Sequence, residues 1–277
     1  MFVEGFLLTG LFVLLLAFVA EYVDSTLGMG YGTTLTPVLL LMGFEPLQVV
    51  PAVLLSELIT GLLAGLAHHS AGNANFRPNL RKNGSPDDGA GVLRRLRRAC
   101  PRDLKIVILM AACSVIGTLA AVFVAVHLSK FYLKLYIGLM VFAIGLYLLL
   151  TRKHERRFSA KKLFGLGLIA SFNKGMSGGG YGPVVTGGQI LSGVSGKTAV
   201  AVTSLAEGLT CLVGFAAYLA TRSIVDWRLF PYLCFGAVLS VPLSAYTVKR
   251  LKVGNLQTAI SALTLGLGAW TLGNLVL

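Results

Sequence analysis

Charge is scarce in this sequence. Only 13% of its 277 residues are Asp, Glu, Lys or Arg, against 55% hydrophobic residues and a mean hydropathy of +0.78, which leaves too little polar surface to cover a water-soluble domain of this length. Cysteine is scarce too. Cys100, Cys113, Cys211 and Cys234 make no CxxC pair, and three of them lie in apolar runs, so neither a disulfide framework nor a cysteine metal site follows. His68, His69, His127 and His154 fit no His-Glu-x-x-His pattern, which removes a zinc hydrolase. His68 and His69 end an apolar segment and read as interfacial polarity. Gly196-Lys197-Thr198 has the end of a phosphate-binding loop but Leu191 where that loop needs glycine, and Gly28-x-Gly30 meets Thr33 where a dinucleotide-binding turn needs its third glycine.

The net charge of +13 does not mean nucleic acid. Most of the 24 Lys and Arg fall in three short loops, 77–105, 152–162 and 249–252, and basic residues gathered between hydrophobic spans report cytoplasmic orientation. The expected fold is an all-α polytopic membrane protein. Its first apolar run, 6–20, lacks a basic leader and follows Glu4, so it reads as a retained span. Further spans are expected at about 47–67, 104–127, 131–150, 162–173, 198–220, 229–248 and 254–276, the first of the series covering about 3–22.

What the sequence does have is a duplication. DSTLGMGYGTTLTPVLLLMG, residues 24–43, returns 150 residues later as KGMSGGGYGPVVTGGQILSG, residues 174–193. The offset also matches Glu57 to Glu207 and Thr60 to Thr210 inside apolar segments. The chain therefore divides into repeats 1–151, with a basic cytoplasmic insert at 70–103, and 152–277. The glycines interrupt the helices, because glycine adopts backbone angles other residues avoid, and short apolar pieces follow at 33–43 and 183–193. The insert's VLRRLRR stretch reads as an amphipathic turn on lipid headgroups or as a solvated loop, and Asn83-Gly84-Ser85 is discounted as a glycosylation site on the cytoplasmic side. Counting crossings between the basic loops gives the two repeats opposite orientations, with both chain ends outside. The expected architecture is thus two inverted-topology repeats, each with a glycine-broken or re-entrant short helix pair plus three full transmembrane helices.

In such a frame a substrate sits near the midplane, where half-helix N-termini offer free N–H groups to an anion. The candidate lining is Ser25, Gly28, Gly30, Tyr31, Gly32 and Thr33 from one copy, and Asn173, Lys174, Ser177, Gly178, Gly179, Gly180, Tyr181 and Gly182 from the other. The competing reading is that the glycines only permit close helix packing. Glu57 and Glu207 are candidates for a proton relay together with Asp24, since carboxylates inside a span usually mark a pathway; a protonated glutamate bonding a neighbouring helix is the structural alternative. Lys174 occupies the position of Asp24 in the second copy, and either pairs with it or faces the anion.

At these residues the chain resembles the TauE/SafE sulfite-exporter family of prokaryotic membrane proteins. Pro37 in GMGYGTTLTPVLLLMG stands in that family's place, whereas SGGGYGPVVTGGQILSG carries Gly187 there and moves its proline to Pro183. The resemblance covers nearly all of the chain outside the insert. It implies a multi-pass protein of the cytoplasmic membrane, a secondary transporter exporting sulfite or organosulfonates such as sulfoacetate, coupled to protons. The expected partners are a small anionic substrate, protons and the lipid bilayer, with a homodimer as the candidate assembly and neither cofactor, metal, catalytic residue nor nucleic acid. Alternatives are a transporter of another small anion, or a non-transporting membrane scaffold or enzyme.

Overall fold

The computed structural model describes residues 2–78, 99–150, 160–191, 194–221, 227–250, 265–266 and 268–273. The VLRRLRR stretch, Asn83 and most of the 152–162 loop lie outside them, as does most of the last expected span. Helix α1 covers Phe2–Leu27, α2 Tyr31–Leu41, α3 Pro46–Ser70, α4 Arg102–His127 and α5 Lys130–Leu150. In the second half α6 covers Ala160–Ser177, α7 Tyr181–Leu191, α8 Gly196–Ala220 and α9 Phe230–Arg250. No strand occurs among the described residues. Among the described residues five helices, α1, α3, α4, α8 and α9, are long and apolar enough to cross a membrane.

Helix α1 does not stop at its acidic residues. It runs past Glu21 and Asp24 to Leu27, because both carboxylates find donors inside the protein, and ends where Gly28 takes φ 69°. Gly30, at φ 139°, then caps α2. The short helices start at Tyr31 and Tyr181, two residues before the expected Thr33 and Pro183, since the positive-φ glycines turn the chain without help. Eleven residues make α2 about 16 Å long, roughly half of a ~30 Å bilayer core. Ser195, the start of the loop-like Ser-Gly-Lys-Thr stretch, is a helix cap whose Oγ accepts the Thr198 N–H at 3.3 Å.

Lipid-sized apolar side chains such as Leu15, Ile116, Phe123, Phe235 and Leu239 face outwards, while Gly, Ala, Ser and Thr fill the helix contacts. The order of these contacts gives helix direction. Along α3 and α8, Leu54 meets Gly214, Gly61 meets Gly208 and Gly65 meets Leu205, so the two helices are antiparallel. Helix α1 runs parallel to α9, with Gly10 on Tyr232, Leu14 on Gly236 and a Tyr22–Thr247 hydrogen bond of 2.9 Å. Helices α4 and α6 are parallel as well, Cys113 meeting Gly167 and Ala121 meeting Gly175. Each half thus lends its fourth helix, α4 or α9, to the first helix of the other half, and the two are interleaved.

Two hydrogen bonds repeat at the same offset. His68 bonds the Ser25 carbonyl at 2.9 Å, and Tyr218 donates to the Gly175 carbonyl at 2.8 Å. Asn73 Nδ2 donates to His68 Nδ1 at 2.9 Å, so His68 Nε2–H is the donor to Ser25. His68 is therefore a buried clamp and not an interfacial group. Tyr218→Phe is expected to lower stability by about 0.5–1 kcal/mol, the net worth of such a bond inside a membrane bundle. Thermal unfolding in detergent measures it, and an unchanged midpoint would show that the clamp contributes nothing.

Candidate functional site

Glu57 lies midway along α3, and Glu207 occupies the same position along α8. Those helices pack antiparallel with Gly61 against Gly208, which sets the two carboxylates on either side of that crossing, and Lys174 enters between them from α6. Its ammonium bonds Glu57 Oε2 and lies 2.6 Å from Glu207 Oε1. All three side chains are buried, Lys174 completely. A charge in such a position persists only when paired, because leaving it alone in a low dielectric costs several kcal/mol even after relaxation. The ion pair therefore forms with the two glutamates and not with Asp24, the partner suggested by repeat equivalence.

Asp24 and Glu21 come from α1 beside this group. Asp24 Oδ1 accepts the Tyr31 N–H at 3.1 Å, so the first donor of the α2 N-terminus is already occupied by the chain's own carboxylate. Glu21 takes hydrogen bonds from Ser25 Oγ at 2.5 Å and from Thr60 Oγ1 at 3.2 Å. Glu21, Asp24, Glu57, Thr60, Gly61, Ser204 and Glu207 line a cavity of about 10 Å³, room for about one water and too little for an oxyanion. Glu57 Oε1 and Glu207 Oε2 are buried with no hydrogen-bond partner among the described residues.

The glycines of the two breaks lie backbone against backbone. A Cβ on Gly32 would overlap the Gly178 carbonyl, and one on Gly182 would overlap the Gly28 carbonyl. Gly179 sits against Gly32 and Thr33, and Thr186 Oγ1 donates across the interface to the Gly28 carbonyl at 2.7 Å. In this conformation the breaks are a contact surface with no space between them for a ligand.

The other candidate residues divide. Tyr31 and Tyr181 are fully buried, and the Tyr31 hydroxyl bonds Ser56 Oγ at 2.8 Å. Thr33 Oγ1 donates to the Gly30 carbonyl at 3.2 Å, and Ser177 Oγ accepts the Gly179 N–H at 3.0 Å, so both serve the local backbone. Asn173 Oδ1 accepts from the Tyr136 hydroxyl on α5 at 2.6 Å. Gly180 lies beside Met140 and Ile144 of that same helix, and Gly30 beside Val23. Sequence reasoning missed Glu21, Thr60, Ser204 and Cys211, whose thiol lies 3.8 Å from Glu57 Oε2. Signals for two of them existed: Glu21 precedes Ser25 by one helical turn, and Thr60 follows Glu57 at the same face and recurs as Thr210.

Ionisable side chains are held inside a bundle of apolar spans, and the molecule is a multi-pass membrane transport protein. The chain belongs to the sulfite exporter TauE/SafE family, whose model matches residues 13–81 and 88–271. It is also similar to the probable membrane transporter protein YtnM of Bacillus subtilis (strain 168), at 26% identity over 247 residues, covering 83% of this chain and 72% of that protein. No solved structure matches.

Proposed function

We propose that the protein is a proton-coupled secondary transporter of small anions in a prokaryotic cytoplasmic membrane, with sulfite and organosulfonates such as sulfoacetate as substrates and export as its direction. The observation that carries this reading is the buried Lys174 ammonium held between Glu57 and Glu207, one carboxylate from each repeat. A cation at that level attracts an anion, and carboxylates beside it are able to exchange protons. The antiparallel packing of α3 and α8, which are equivalent in the duplication, supports two inverted-topology repeats. Such a pair presents the same centre to either side of the membrane by rocking one element set against the other. The opposed glycine breaks and the adjoining short-helix N-termini become the substrate's wall when they part.

Reconstitution in liposomes tests the proposal. Wild type is expected to move sulfite or sulfoacetate at a rate set by an imposed pH gradient, Glu57→Gln or Glu207→Gln to weaken that dependence, and the double variant to lose it. Wild-type vesicles that pass neither anion under any gradient would refute the substrate class.

A further inference from the structure

We propose that Lys174 is the group that binds the transported anion, and that Glu57 and Glu207 are its built-in competitors, each taking up a proton when the anion displaces it. The inference rests on the reading of the protein as an anion transporter. It starts from occupancy: both recorded bonds of the ammonium go to carboxylates, and the adjoining cavity has room for about one water. To an ammonium, a sulfonate or sulfite oxygen is the same kind of acceptor as a carboxylate oxygen. An anion therefore reaches Lys174 by taking a glutamate's place.

Charge decides what happens to the displaced glutamate. Four carboxylates, Glu21, Asp24, Glu57 and Glu207, already face this space with one ammonium recorded against them among the described residues. Adding an anion with nothing else would put a further uncompensated charge in a low dielectric. The balanced step exchanges one bond for another: the Lys174–carboxylate pair opens, the anion pairs with Lys174, and a proton from solvent bonds a carboxylate oxygen of the displaced glutamate. Net charge in the site is unchanged for each negative charge that enters.

The surroundings fit that exchange. Glu57 and Glu207 line the cavity, and the buried Oε1 of the first and Oε2 of the second have no hydrogen-bond partner among the described residues, so each glutamate has an oxygen able to carry the proton. The other titratable groups facing them are Glu21 and Asp24 on α1, Tyr31 on α2, Tyr181 on α7 and Cys211 on α8, with Cys113 on α4 behind Tyr181. Glu21 and Asp24 are engaged by Ser25, Thr60 and the Tyr31 N–H, and no ion pair joins them to Lys174 among the described contacts. Since Lys174 has Asp24 as its repeat counterpart, one ammonium serves both halves, and the two glutamates contend for it from opposite repeats.

Calorimetry on the purified full-length protein in detergent tests this, titrating sulfoacetate at several near-neutral pH values in buffers of different ionisation enthalpy. Sulfoacetate carries two negative charges over that range, one on the sulfonate and one on the carboxylate, so it displaces both glutamates and the proton uptake belongs to the protein. Wild type is expected to take up about two protons per anion, Glu57→Gln or Glu207→Gln about one, and the double variant close to none, with affinity rising about tenfold per pH unit lost for each proton. At the alkaline end each single variant should bind several-fold tighter than wild type, because a competitor has been removed. Purely structural glutamates would instead give weaker binding with an unchanged pH slope, and that result overturns the inference, as does anion binding without proton uptake. Failure of sulfoacetate, sulfite and sulfate alike to bind would overturn the transport reading with it. A thermal unfolding scan of each variant confirms that the folded protein is the one titrated.

Discussion

Lys174→Met is expected to abolish anion flux and to cost about 3–5 kcal/mol of stability, the usual penalty for removing one partner of a buried ion pair. Methionine fills a similar volume, so the loss is one of charge. Without the ammonium, Glu57 and Glu207 remain on facing helices with Asp24 and Glu21 close by, and nothing recorded among the described residues balances them. The same argument makes a sharper statement about a combined variant. In a Glu57→Gln, Glu207→Gln background the lysine has lost both partners, so Lys174→Met there should cost little or even stabilise, as replacing a whole buried ion pair by apolar groups often does. Flux should stay absent in that triple variant even though the fold has recovered. Thermal unfolding and liposome flux on the same four proteins separate the two roles of the lysine. A Lys174→Met protein that transports at the wild-type rate would remove the cation from the mechanism and with it the proposed anion site.

Much of this arrangement was legible in the sequence because a duplication is a statement about geometry. The 150-residue offset that aligned the glycine clusters also separates α2 from α7 and α3 from α8, so Glu57 and Glu207 could be named as a pair without knowing where they pointed. The missing information was which groups they faced. Repeat equivalence pairs Lys174 with Asp24, but α3 and α8 cross at Gly61 and Gly208, and the glutamates lie on either side of that crossing, where Lys174 reaches both. Glu21 was hidden for a different reason. It falls at the end of the first expected span, 3–22, where polar residues are ordinary, and position 171, its counterpart, is a serine, so the duplication gives it no support. Only the fold shows that Ser25 and Thr60 satisfy it within the helix bundle. His68 illustrates the same limit: an interfacial and a clamped histidine look alike until Asn73 and the Ser25 carbonyl are seen on its two nitrogens.

The sequence left two readings of the glycines open, a substrate lining and close helix packing, and the second large expected effect follows from the backbone contacts they make in the fold. Gly32→Ala should destabilise the protein by about 1–3 kcal/mol, the usual range for overpacking, and Gly32→Val by more. The added Cβ would overlap the Gly178 carbonyl and lie 2.9 Å from the Gly179 Cα. Those neighbours are backbone, so relief requires the two breaks to move apart, and Gly182→Ala makes the same demand from the other side against Gly28 and Met29. Gly187→Ala is the control, because nothing lies within 4 Å of a Cβ there and alanine in a helix is favoured over glycine by about 1 kcal/mol. If the glycines exist chiefly to admit an anion, Gly32→Ala should leave the unfolding midpoint alone and weaken sulfoacetate binding. If they are the bearing surface on which the halves close, the midpoint falls, and flux falls because the closed state, in which Lys174 is held by its own glutamates, is no longer reached. A Gly32→Ala protein with wild-type melting and wild-type flux would show that this closed contact is not part of the transport cycle.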